Sequence, residues 1–139
     1  MLIGEYQHIV DAKGRVFIPA RFREELGLRF IVSKGLDNCL FVYSIKEWAL
    51  LEEKIRSLPL SKARNLQRFF FAGAAEVEAD KQGRVLIPQS LRDYASLTKE
   101  VTIIGASNRV EIWDKQKWED MCEGITPQSI AEAMDELGF

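Results

Sequence analysis

The chain has 139 residues, enough for one domain or two very small ones, and 47% of them are hydrophobic, ample for a core. No apolar run approaches the length of a membrane span and no secretory leader is visible. A net charge of −2 excludes a uniformly basic protein, so any anionic partner must meet a local patch.

From the N-terminus, Tyr6, His8 and Val10 alternate as in a strand, with Ile9 on the other face. Asp11-Ala12-Lys13-Gly14 then reads as a turn: the Asp side chain can accept from backbone N–H groups two residues on, and Gly14 supplies a positive φ. Arg15-Val16-Phe17-Ile18 follows as a short second strand, completing a hairpin signal. Pro19 opens a helix with Phe22, Leu26 and Leu28 on its apolar side, and Gly27 is its stop. Residues 30–32 and 39–43 predict two strands around a turn at Gly35-Leu36-Asp37-Asn38.

Ser44, with Glu47 three residues on, signals a capped helix carrying Trp48, Leu51, Ile55 and Leu58, ended by Pro59. Ser61 is placed as the cap of a second helix running to Phe71. From Ala75 the chain then repeats itself. Asp80-Lys81-Gln82-Gly83-Arg84-Val85-Leu86-Ile87-Pro88 stands 69 positions after Asp11–Pro19, and Leu91, Arg92 and Leu97 answer to Phe22, Arg23 and Leu28. After a one-residue slip, Gly105, Asn108, Val110, Ile112 and Trp118 answer to Gly35, Asn38, Leu40, Val42 and Trp48. Asp114 caps the last helix of this unit, Gly124 closes it, and a tail helix shows Ile130, Met134 and Leu137 on one side.

Two copies of one supersecondary unit set the expected fold: α+β, with two tandem ββαββ units. The division expected is a first unit at 1–48, a helical linker at 49–74, a second unit at 75–118 and an acidic helical tail at 119–139. Four short strands cannot cover their own edges, so the units are expected to exchange hairpins and interlock as one pseudo-symmetric barrel with flanking helices. Charge is uneven along the chain. Residues 111–139 hold two lysines against eight acids, a net of −6, and the remainder carries +4.

Catalytic chemistry lacks parts. His8 is the one histidine, which leaves no histidine cluster for a metal and no triad. Cys39 and Cys122 have no metal-type spacing and read as buried reduced thiols. The single turn glycines match no phosphate-loop pattern. Neither a cofactor, a metal, a small-molecule substrate nor a membrane partner is expected, and the chain is not read as an enzyme.

The basic residues offer more. Lys13, Arg15, Arg21 and Arg23 gather around the first turn and its helix, as Lys81, Arg84 and Arg92 do around the second. A two-stranded ribbon fits the DNA major groove, and arginine is the best bidentate reader of guanine. Asp11 with Arg15, and Asp80 with Arg84, equally suit ion pairs that brace each turn. Spacing alone leaves brace and reader both open.

These residues carry a resemblance. Asp-x-x-Gly-Arg-Val-x-Ile-Pro followed by a helix with Arg23 resembles the AbrB-type swapped-hairpin DNA-binding fold, and its tandem arrangement is similar to the bacterial MraZ family over nearly the whole chain. The resemblance implies a cytoplasmic, nucleoid-associated transcriptional regulator that binds double-stranded DNA, acts on short direct repeats in the promoter of the division and cell-wall gene cluster, and assembles into rings. It carries DNA contact to Arg15 and Arg84, and to Lys13, Arg23, Lys81 and Arg92, while Asp11, Gly14, Asp80 and Gly83 shape the turns. Gln82 stands where the first copy has Lys13, and Gln89-Ser90 where it has Ala20-Arg21, so the second face is poorer in cations. The competing class is a ring-forming scaffold or an antitoxin-like interaction module using the acidic tail.

Overall fold

Each Asp-x-x-Gly turn reverses the chain, but the strands flanking it pair with the other repeat. In the computed structural model, which describes residues 1–139, β1 (Leu2–Ile9) enters the first turn and β2 (Arg15–Phe17) leaves it. Helix α1 (Ala20–Leu26) follows, then β3 (Arg29–Lys34) and β4 (Leu40–Ser44). Helices α2 (Ile45–Arg56) and α3 (Leu60–Phe70) lead to the second repeat. There β5 (Ala75–Glu78), β6 (Arg84–Leu86), α4 (Gln89–Ala95), β7 (Glu100–Ser107) and β8 (Val110–Asp114) run in the same order. Helices α5 (Lys115–Glu123) and α6 (Pro127–Asp135) complete the chain.

The result is α+β with antiparallel pairing throughout. β1 pairs along its whole length with β7, from Leu2 opposite Ser107 to Ile9 opposite Glu100. In return β5 pairs with β3, Arg29 opposite Glu78 and Val32 opposite Ala75. The six-stranded sheet has the order β1-β7-β8-β4-β3-β5, and β2 and β6 form a separate two-stranded ribbon. Two expectations are corrected here. The strands do not close into one barrel: β2 and β6 are three residues each and pair only with one another, which leaves β1 and β5 as sheet edges. Nor does β1 form a ladder with β2, since only the turn itself is bonded, Asp11 N–H to the Arg15 carbonyl and Gly14 N–H to the Asp11 carbonyl.

The sheet separates two apolar layers. Alternate residues of β4 face opposite ways, Leu40 and Val42 into one cluster and Phe41 and Tyr43 into the other. The larger cluster joins Val16, Ile18 and Phe22 of the first repeat to Val85, Ile87 and Leu91 of the second, all 0–1% exposed. The smaller gathers Cys39, Ile55, Ala63, Phe70 and Trp113 beneath α2 and α3. Within it Glu111 is buried, accepts hydrogen bonds from Arg109 Nε and Trp113 Nε1, both at 2.9 Å, and lies 2.8 Å from Arg109 Nη2 in an ion pair. A buried carboxylate held this way is costly to orphan.

Caps follow the sequence in part. Ser44 accepts from Glu47 N–H and Asp114 from Lys117 N–H. Pro59, not Ser61, stands at the N-cap of α3, because its fixed φ suits the entry and the helix begins at Leu60. Leu28 is not on the apolar side of α1: the helix ends at Gly27, φ 90°, and Leu28 is exposed. Its counterpart Leu97 is buried. The cysteines also differ from the expected pair. Cys39 is buried, its thiol pushed up to about 12 by burial, whereas Cys122 lies exposed on α5.

Candidate nucleic-acid interface

In each turn the carboxylate does three jobs at once. Asp11 Oδ1 accepts from the backbone N–H groups of Lys13 and Arg15, both at 2.9 Å, and Oδ2 receives Arg15 Nε at 2.7 Å. Asp80 repeats this with Gln82 N–H at 2.9 Å, Arg84 N–H at 3.0 Å and Arg84 Nε at 3.1 Å. Gly14 and Gly83 adopt φ of 84° and 83°, the left-handed region the turn requires. The anticipated brace is therefore made, and it uses one nitrogen of each guanidinium. No protein hydrogen bond engages the terminal nitrogens of Arg15 or Arg84.

Those hydrogen bonds have an acid signature. The Arg15 N–H, with Arg15 Nε and the Lys13 N–H, holds the Asp11 carboxyl below its ordinary 3.8, and the Arg84 and Gln82 N–H groups act likewise on Asp80. A carboxyl whose folded pKa is depressed stabilises the fold above the unfolded value, and that contribution is lost as pH falls through the folded pKa. Melting temperature should thus decline below about pH 4. An Asp11→Asn, Asp80→Asn double variant should be less stable at pH 7 and show a shallower acid decline. Parallel declines would refute the assignment.

The two turns are bound crosswise. Ile18 N–H donates to the Gly83 carbonyl at 2.9 Å and Ile87 N–H to the Gly14 carbonyl at 3.0 Å, flanking the register Arg15–Leu86, Val16–Val85, Phe17–Arg84. Val16 and Val85 point inward and are fully buried, so Arg15, Phe17, Arg84 and Leu86 form the outer face. Arg84 Nη1 also lies 3.8 Å from Asp11 Oδ2, an ion pair between repeats.

Helix arginines complete the exchange. Arg23 Nε donates to the Ile18 carbonyl at 2.8 Å and Arg92 Nε to the Ile87 carbonyl at 2.9 Å. Each guanidinium then lies over the other repeat's turn: a Cβ on Gly14 would sit 2.5 Å from Arg92 Cζ, and one on Gly83 2.9 Å from Arg23 Cζ. Arg23 also stacks over Phe17 at 5.6 Å. Of the predicted cations, Arg15, Arg84, Arg23 and Arg92 are thus brought together. Lys13 and Lys81 stand exposed on the turns, and Arg21 lies exposed on α1 without a bond to either turn.

A family model described as "MraZ protein, putative antitoxin-like" matches residues 1–69 and again 70–137, one match per repeat. The chain belongs to the MraZ family. A protein named Transcriptional regulator MraZ from Acetivibrio thermocellus is 63% identical, covering 100% of both chains. MraZ proteins of the same name from Caldicellulosiruptor saccharolyticus and Carboxydothermus hydrogenoformans are 61% and 60% identical over 100% and 96% of each chain. Among solved structures, the solution structure of PHS018 from Pyrococcus horikoshii aligns with 81% of this chain and 88% of its own, at 15% identity and a TM-score of 0.33.

Sequence reasoning passed over two residues of this MraZ ribbon, Phe17 and Leu86. Strict alternation held the signal: Arg84 outward, Val85 inward, Leu86 outward, Ile87 inward puts an apolar side chain on the polar side. Leu86 is 57% exposed. Phe17 is half-covered, by His8 at 4.9 Å between ring centroids and by Arg23.

Proposed function

We propose that the chain is a transcriptional regulator that binds double-stranded DNA sequence-specifically through the outer face of the β2–β6 ribbon. One observation carries the reading: two guanidiniums fixed by their Nε atoms on a ribbon narrow enough for the major groove, with their terminal nitrogens free of hydrogen bonds. A braced arginine meets a guanine edge with little further loss of side-chain freedom. Arg15 and Arg84 are assigned to base edges, Lys13, Lys81 and Arg21 to phosphates, and Arg23 and Arg92 to holding the turns and adding charge behind them. With Gln82 in place of a lysine, the second half contributes the smaller share of affinity.

The exchange of β1 and β5 between repeats supports an AbrB-type swapped-hairpin relationship, and the relatives' printed name supports regulation of transcription. The finer reading follows the family: a ring of identical subunits in the cytoplasm, at the nucleoid, on direct repeats before the division and cell-wall genes. A second reading, an antitoxin-like interaction module, draws on α6, whose Ile130 and Met134 are 45% and 37% exposed, and on Leu137 in the turn after it, 72% exposed. Selection of bound fragments from random duplex DNA, followed by titration in salt, separates the two. Regulation predicts an enriched motif and affinity falling with log salt at a slope of roughly −0.9 per phosphate contacted. Absence of salt-sensitive duplex binding would leave the interaction module.

A further inference from the structure

We propose that Leu86 reads the 5-methyl group of a thymine, making this ribbon a reader of methyl groups as well as guanines. The inference rests on the DNA-binding reading above and gives that site one more specificity-determining residue. Leu86 is apolar and 57% exposed on a face otherwise carrying guanidiniums. It lies directly opposite Arg15 in register and two residues from Arg84 on the same side of its strand. Neighbours so placed lie roughly 5 Å across the ribbon and 7 Å along it. Base pairs rise about 3.4 Å each, so a pyrimidine within about two steps of an arginine-read guanine falls under Leu86. Thymine alone among the four bases offers an apolar group in the major groove, and aliphatic side chains recognise it by contact.

The other repeat shows what a merely structural outer residue looks like. Phe17, at the same position in the motif, is covered by the His8 ring and by the Arg23 guanidinium. Arg92, the counterpart of Arg23, lies over Gly14 as Arg23 lies over Gly83, yet Leu86 beside it is left 57% exposed. The ribbon is therefore chemically polar along its length, aromatic and shielded at one end and aliphatic and open at the other. A site that fits it is not a perfect palindrome.

The test uses the full-length protein and a duplex enriched from random DNA, with each thymidine replaced singly by deoxyuridine, which removes the methyl and keeps the base pair. One position, within about two base pairs of a guanine whose preference is lost in Arg15→Ala or Arg84→Ala, should lose roughly three- to fivefold in affinity, the scale of one buried methyl. Leu86→Ala should bind both duplexes equally, and Leu86→Met should restore the discrimination. Both variants keep Arg15, Arg84 and the turns, and unchanged melting checks the fold. A penalty that persists in Leu86→Ala, an equal loss on every duplex, or no penalty at any thymine in the wild type overturns the assignment while DNA recognition stands. If no motif is enriched at all, recognition itself falls and the leucine assignment with it.

Discussion

Arg15→Ala should relax the sequence preference of DNA binding by roughly 1–3 kcal/mol for each base edge no longer read, whereas Lys13→Ala should weaken specific and random duplexes alike. The lysine variant should also flatten the salt slope by about one unit for each phosphate it ceases to neutralise. Arg15 is tied to Asp11 through Nε, so two further variants sharpen the reading. Arg15→Lys keeps the charge but loses the planar fork, and should resemble Arg15→Ala in specificity while retaining affinity for random DNA. Asp11→Ala leaves the cation in place and removes its orientation, together with the 3.8 Å pairing to Arg84, so specificity should fall further than affinity. Several subunits engaging repeated sites in one assembly would multiply these losses. Circular dichroism and oligomer size must be followed in parallel. If Arg15→Ala unfolds the protein and the surviving fraction binds DNA normally, the arginine serves only as a brace.

Gly14→Val should destabilise the fold severely, for two separable reasons. Its φ of 84° penalises a β-branched residue by roughly 1–3 kcal/mol. The new side chain must also displace Arg92, whose Cζ would lie 2.5 Å from the added Cβ. A cycle separates the two effects. Gly14→Ala measured in the Arg92→Ala background keeps the backbone strain but lacks the obstructing guanidinium, so it should cost less than in the wild type, with a coupling on the order of 1 kcal/mol. Denaturant midpoints report the difference. Equal costs in both backgrounds would mean that Arg92 does not rest on the turn. The same experiment at Gly83 addresses Arg23 and Phe17, both 2.9 Å from its built Cβ.

How much is legible in the sequence depends on how local the determinant is. The turns, their glycines and the Asp–Arg pairing lie within five residues, and side-chain spacing alone exposes them. The β3–β4 hairpin is readable for the same reason. Exchange between the repeats is expected from the unprotected edges, but which strand partners which is not readable. A strand such as Tyr6-Gln7-His8 alternates identically whether its neighbour is four residues away or ninety, so a local β1–β2 hairpin is as good a reading as the β1–β7 pairing that forms. The placement of Arg92 over Gly14 likewise depends on the ribbon having crossed first. Leu28 departs from its expected place because Gly27 turns the chain before the apolar spacing runs out. Cys122 is exposed rather than buried because the half-covered side of α5 carries Trp118 and Met121 instead.

The crossed pairing has a consequence for how the chain is made. When the first repeat leaves the ribosome, β1 and β2 are finished but their partners, β7 and β6, do not yet exist. Translation at about 5–20 residues per second puts several seconds to roughly twenty between the two. Through that interval the nascent chain presents unpaired strand edges that fit the second repeat of any copy, including one on a neighbouring ribosome of the same message. Helices α2 and α3 bear on this race, because they keep the correct second repeat tethered within reach and raise its effective concentration over a stranger's. A stretch that looks like a passive connector thereby helps decide whether one molecule closes upon itself or two molecules close upon each other.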